Sequence, residues 1–184
     1  IPCTGWVVTK GLAYGDGVGG SPFDDSTDVG DSCPIYPSMI SFAADHLCVA
    51  SLNTTYKSVH KNSTQLRYDF SQALEDVETL TLDTDEWVIK VNGITGGFIN
   101  ALQFHTNKGR QTRLVGVSSG TSWSEGGGGA KVLSYFNGRY GDEINQIQLN
   151  FVPADPVLFK NHITEQARFL KRVRWKRIAY SDPP

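Results

Sequence analysis

Lys131-Val132-Leu133-Ser134-Tyr135-Phe136-Asn137, a glycine-hinged break over Gly138-Arg139-Tyr140-Gly141-Asp142-Glu143, and Ile144-Asn145-Gln146-Ile147-Gln148-Leu149-Asn150-Phe151-Val152 form the stretch that decides the fold class. In the last run Ile147, Leu149 and Phe151 alternate with polar Gln148 and Asn150. That period of two puts alternate side chains on one face of a strand. Upstream, Trp87, Ile89 and Val91 share a face in the same way. Working outward, alternation and β-rich composition predict strands at Trp6–Lys10, Met39–Ala44, Leu47–Leu52, Gln65–Phe70, Thr79–Leu82, Trp87–Asn92, Ile99–His105, Leu114–Ser118, Lys131–Asn137 and Ile144–Val152. Gly, Asn, Asp, Ser and Pro punctuate them, at the spacing of sandwiches, barrels and prisms. The fold class is all-β.

The chain has 184 residues, which suits one domain with a core large enough to fold without metal or disulfides. Hydrophobic residues at 39%, charged residues at 20% and 19 glycines describe a globular, turn-rich protein rather than a disordered one. A net charge of −2 gives no reason to expect nucleic acid as a partner. No apolar run reaches the ~18 residues of a membrane-spanning helix. The chain opens on Ile1-Pro2-Cys3 with neither initiator Met nor signal peptide, which implies processing or trimming. Cys3, Cys33 and Cys48 allow one disulfide with a thiol left over, or none. The sequons at Asn53 and Asn62 matter only in a secreted chain, so the compartment stays open.

Several chemical signatures fail on inspection. Gly15-Asp16-Gly17-Val18-Gly19-Gly20 matches the dinucleotide glycine pattern, but Ser21–Asp25 after it contains nothing to start a core helix. Gly126–Gly129 lacks the Gly-Lys-Ser/Thr of a phosphate loop and reads as a connection between strands. Asp24/Asp25 and Asp142/Glu143 are adjacent residues pointing to opposite faces, not carboxylates opposed across a glycosidic bond. His46, His60, His105 and His162 show no metal-ligand spacing. No enzymatic activity, metal or cofactor is expected.

The tail differs in kind. Lys160, Arg168, Lys171, Arg172, Arg174, Lys176 and Arg177 outnumber Asp155, Glu165 and Asp182. Helical spacing over roughly Ile163–Val173 predicts a basic helix, while Trp175–Tyr180 reads equally as extended. The expected division is a β domain over 1–154 and a C-terminal extension over 155–184, docked through its apolar residues on the domain or on a partner subunit, with a homodimer as one arrangement.

Five phrases occur in a telling order: GGSPFDD (19–25), DEWVIKVNGITGG (85–97), INALQFHTNKG (99–109), LVGVSSGTSW (114–123) and KVLSYFNGRYGDEINQIQLNF (131–151). In this series the chain resembles the jacalin-related lectins over about 130 residues. The resemblance implies a β-prism of three Greek-key four-stranded sheets with pseudo-threefold symmetry. It also implies a sugar site built from the glycine before the Phe-Asp-Asp segment and a G-x-x-x-D loop. Here these are Gly20 and Gly141-Asp142-Glu143-Ile144-Asn145.

The backbone N–H groups of Asp142 and Glu143 would meet the ring and primary-hydroxyl oxygens, and the last position would bridge the 4- and 6-hydroxyls. That position departs from the family, with Asn145 in place of Asp. Losing a charge-assisted hydrogen bond predicts roughly tenfold weaker monosaccharide binding. A shifted register, Gly138–Asp142, also reads G-x-x-x-D, but Ile144 and Ile147 fit the family's strand only in the first. The third family loop, Ile94-Thr95-Gly96-Gly97, is short and without an aromatic to stack on sugar. Because Gly20 lies within a continuous chain, the resemblance implies mannose-type glycans or glycoproteins, bound without metal. The alternative is a β-prism interaction module with a degenerate site, binding protein or anionic membrane through the basic tail.

Overall fold

The computed structural model describes residues 7–58, 62–68, 74–128 and 130–154, together with 167, 168, 170–172 and 174. Among the described residues, and ahead of the helical ones in the tail, twelve strands and one short helix run in the order β1 Thr9–Gly15, β2 Ser21–Asp24, α1 Asp25–Val29, β3 Tyr36–Ala44, β4 Val49–Lys57, β5 Asn62–Tyr68, β6 Asp76–Thr81, β7 Val88–Thr95, β8 Ile99–Thr106, β9 Val115–Gly116, β10 Thr121–Gly126, β11 Lys131–Tyr140 and β12 Ile144–Pro153.

They form three four-stranded antiparallel sheets, ordered β6-β3-β4-β5, β10-β7-β8-β9 and β2-β11-β12-β1. Each is a Greek key, with a central hairpin whose second strand pairs the third and whose first pairs the fourth. In the last sheet the hairpin comes from the C-terminal end of the domain and the flanking strands from its N-terminal end. The expected β-prism is the observed fold.

The inner faces share one core. Phe42 of β3 meets Phe104 of β8 edge to face at 5.0 Å, and Phe104 meets Phe136 of β11 at 6.1 Å. One aromatic chain thus ties all three sheets, each pair contributing about 0.5–1.5 kcal/mol beyond area burial. Ile99, Leu102, Ile147 and Leu149 complete the centre.

The strand predictions succeed where alternation faces that core and shift where it does not. The first strand, expected at Trp6–Lys10, is Thr9–Gly15, an edge strand whose Leu12 is exposed. The strands at Ser21–Asp24 and Thr121–Gly126 were unexpected. Pro22 and a Ser- and Gly-rich composition disguise them, and both lie on sheet edges, where those residues are tolerated. The strand expected over Leu114–Ser118 shrinks to Val115–Gly116. A helix does start after Ser21–Asp24, against expectation: the Asp24 carboxylate accepts from the Ser26 and Thr27 N–H groups and caps Asp25–Val29. At five residues it is a turn-filler rather than a nucleotide-binding helix.

Cys33 is disulfide-bonded, its partner lying outside the described residues, and Cys48 is a buried free thiol. In the tail, Ala167, Arg168, Leu170, Lys171, Arg172 and Arg174 are helical, as the spacing predicts, and all are exposed, Leu170 among them although docking was expected of it. The rest of the extension lies outside the described residues, and so does most of its expected docking.

Candidate functional site

The Greek key that joins both ends of the domain sets two connections side by side: residues 16–20 between β1 and β2, and residues 141–143 between β11 and β12. Gly15 begins the first. Its φ is 101°, and a Cβ there would lie 2.1 Å from the Asn145 carbonyl oxygen, so only glycine fits. The Asp16 N–H donates to that same carbonyl at 2.8 Å. The Asp16 carboxylate then accepts from the Val18 and Gly19 N–H groups at 2.9 and 3.0 Å, curling the loop as an Asx turn. From the neighbouring strand Arg139 donates through Nε to the Gly19 carbonyl at 2.8 Å, and through Nη2 to those of Gly20 at 2.9 Å and Val18 at 3.3 Å. The loop's carbonyls are engaged, while the N–H of exposed Gly20 donates to no acceptor among the described residues.

The second connection is closed by the Gly141 N–H donating to the Glu143 carbonyl at 2.9 Å. Asp142 is exposed and Glu143 half-buried, and their N–H groups also lack acceptors among the described residues. Asn145, 9% exposed, sits behind both connections. A Cβ on Gly20 would lie 2.7 Å from Asn145 Oδ1 and 2.7 Å from the Tyr140 carbonyl, and one on Gly141 would lie 3.7 Å from Oδ1. Oδ1 itself is buried and has no hydrogen-bond partner among the described residues. Gly20, Gly141, Asp142, Glu143 and Asn145 are therefore brought into one patch. The shifted register does not make a turn: Gly138 lies inside β11, paired with Phe23 on one side and Ile147 on the other.

The carboxylates near this patch have other occupations. The Glu143 carboxylate lies within 4.8 Å of the Cys48 thiol, which burial foremost, and then this neighbouring carboxylate, push well above its usual range. Asp24 caps α1. Asp25 is buried beneath, accepting from Tyr56 Oη at 2.5 Å and Arg67 Nη2 at 2.9 Å. Burial outweighs these partners and raises Asp25 to about 6. Arg67 also pairs with Asp28 at 2.6 Å, and its guanidinium lies 4.7 Å from the Phe23 ring and 5.3 Å from that of Tyr140. Neither acidic pair faces its partner across a cleft.

Sequence reasoning missed Asp16 and Arg139, the residues that shape the amide-bearing loop. Asp16 carried a readable signal, since Asp-Gly-x-Gly favours an Asx turn. Arg139 carried none, because its acceptors lie at the opposite end of the domain.

Three Greek keys around one core, with amide-rich connections at one apex, define the β-prism lectin class. The chain belongs to the jacalin-like lectin family, whose domain matches residues 12–150. Among solved structures it resembles AcmJRL, a mannose-binding jacalin-related lectin from Ananas comosus, with 19% identity and a TM-score of 0.67 over 79% of this chain and 98% of that one. It is similar to Malaysian banana lectin, at 22% identity and a TM-score of 0.66 over 80% and 99% of the two chains. The artocarpin–mannotriose complex gives 22% identity and a TM-score of 0.66 over 78% and 97%. No curated protein matches the chain by sequence.

Proposed function

We propose that this chain binds mannose-type hexoses at the patch formed by Gly20 and Gly141–Asn145, and that it does so without catalysis. One observation carries the reading: the Gly20, Asp142 and Glu143 N–H groups, and the buried Asn145 Oδ1 beside Gly20 and Gly141, belong to one patch and have no hydrogen-bond partner among the described residues. A hexose supplies what both lack, because its hydroxyls donate and accept at adjacent carbons. The Gly20, Asp142 and Glu143 amides donate to sugar oxygens, and Asn145 Oδ1 accepts from a hydroxyl after a small rotation of the side chain.

An orphaned buried acceptor costs about 1–3 kcal/mol, so a hydroxyl that reaches it gains that amount as well as its own bond. Neutral bonds of about 0.5–1.5 kcal/mol each, four in number, put monosaccharide affinity on the order of millimolar. Mannose-binding among the structural neighbours supports the choice of hexose. So does Gly20's place within a continuous chain.

Every contact comes from the chain, so binding is expected to survive chelation. A glycan array followed by calorimetry with methyl α-mannoside, with and without chelator, tests the reading. Saturable binding that Asn145→Ala removes supports it. Failure to bind any glycan, or complete loss on chelation, overturns it.

A further inference from the structure

The connection between β3 and β4, Asp45–Cys48, meets the connection between β11 and β12 through side chains that the hexose patch does not use. A carboxylate oxygen of Asp45, the Sγ of Cys48 and a carboxylate oxygen of Glu143 all lie within 4.8 Å of one another. Asp45 and Cys48 are buried, at 5% and 1% exposure, and half-buried Glu143 is the member most open to solvent. Cys48 is a free thiol.

The β3–β4 turn is braced from within. Asp45 N–H donates to the Cys48 carbonyl at 3.1 Å. Asp45 Oδ1 accepts from the Leu47 and Cys48 N–H groups at 2.7 and 2.9 Å, an Asx turn that fixes the side chain. That turn accounts for one carboxylate oxygen. The other, Oδ2, is buried and has no hydrogen-bond partner among the described residues. A buried carboxylate oxygen without a donor is costly, more so than a neutral acceptor. Among the described residues neither Asp45 nor Glu143 is ion-paired with a lysine or arginine. Two carboxylates and a thiolate this close repel one another, and a divalent cation between them turns that repulsion into attraction.

The donor types select the cation. Thiolate sulfur favours zinc, cobalt or cadmium, whereas magnesium and calcium take oxygen ligands. Bonds of about 2.3 Å to sulfur and about 2.0–2.2 Å to oxygen set tetrahedral zinc ligands roughly 3.5 Å apart. The Glu143 side chain, carried on a turn, closes the difference. Three protein ligands leave the fourth tetrahedral position to water.

We propose that Asp45, Cys48 and Glu143 form a site for a thiophilic divalent cation, zinc foremost, that ties the β3–β4 turn to the β11–β12 turn. On binding, the Cys48 sulfur gives up its proton to solvent and takes the cation in its place. The cation site uses the Glu143 carboxylate and the hexose patch its N–H, so the inference stands whether or not hexose binds. Histidine spacing gave no sign of it, because the cluster contains no histidine and Glu143 comes from the far end of the domain.

Cobalt(II) titrated into the untagged full-length chain, first stripped of metal with chelator, tests it. No reductant is added, so that Cys33 stays disulfide-bonded. One cobalt per chain is expected, with the near-ultraviolet charge-transfer band of a cobalt–thiolate bond, bleached by an equivalent of zinc. Cys48→Ser should abolish the band. Asp45→Asn and Glu143→Gln should each weaken cobalt binding at least about tenfold, since even partners outside a ligand set contribute about 10–100-fold. Absence of the band, a band that survives in Cys48→Ser, or a smaller loss of affinity in either carboxylate variant overturns the inference. Should Cys48→Ser or Asp45→Asn lose its fold by circular dichroism, Glu143→Gln decides, because it alters a half-buried turn residue and leaves the thiolate band to report the affinity.

Discussion

Gly20 and Asn145 touch only because one of them is glycine: a Cβ at position 20 would lie 2.7 Å from Asn145 Oδ1. The φ of 69° at Gly20 adds a second reason, since this left-handed region costs an L side chain about 1–2 kcal/mol. Gly20→Ala is therefore expected to weaken mannose binding more than tenfold and to lower unfolding free energy by about 1–2 kcal/mol. Calorimetry and urea denaturation read the two effects. An alanine variant that binds as the parent does would show that the patch is not where the hexose sits.

Restoring the family's carboxylate tests the acceptor. Asn145→Asp should tighten methyl α-mannoside binding about tenfold, the difference between a neutral and a charge-assisted hydrogen bond. Asn145→Ala should abolish binding at this patch while circular dichroism stays that of the parent. Unchanged affinity in both variants would remove Asn145 from the site.

Arg139 holds three carbonyls of the 18–20 loop through one planar guanidinium. Lysine is a single point charge and cannot span them. Arg139→Lys is expected to lose about tenfold in affinity, roughly one charge-assisted bond, with the midpoint of thermal unfolding little changed. A large fall in that midpoint with unchanged affinity would mean that the clamp serves the fold and not the site.

Burial holds Asp25 at about 6, above its ordinary 3.8, so the folded state binds this proton more tightly than the unfolded chain. Its contribution to stability is fully present below pH ~4 and is lost as pH rises through about 6. Asp25→Asn cannot titrate, so the difference in unfolding free energy between parent and variant should slope between pH 4 and 6 and flatten above. Denaturant titrations at several pH values measure it. A flat difference across that window would show that the Arg67 and Tyr56 partners, not burial, govern Asp25.

The core-facing strands were legible because alternation has a physical cause that acts residue by residue. Ile147, Leu149 and Phe151 declare a strand wherever it ends up. Edge strands were not legible in the same way. Leu12 faces solvent, and Pro22 and Ser122 break the usual composition, because an edge strand packs on fewer neighbours. The site was legible only through likeness to a family of lectins. Asp142 and Glu143 look like an acid pair in isolation, and nothing local points to their backbone N–H groups rather than their carboxylates.

From the sequence alone came the strand period, the glycine-hinged turn at 141–145 and the residues that can occupy left-handed backbone. Only the tertiary structure decided that Gly20 meets that turn and that Arg139 clamps the loop before it. The reason is that periodicity and turn chemistry act between near neighbours along the chain. Which strands share a sheet is settled by packing of three faces on one core, and this pairs β1 and β2 with β11 and β12 from the far end of the domain.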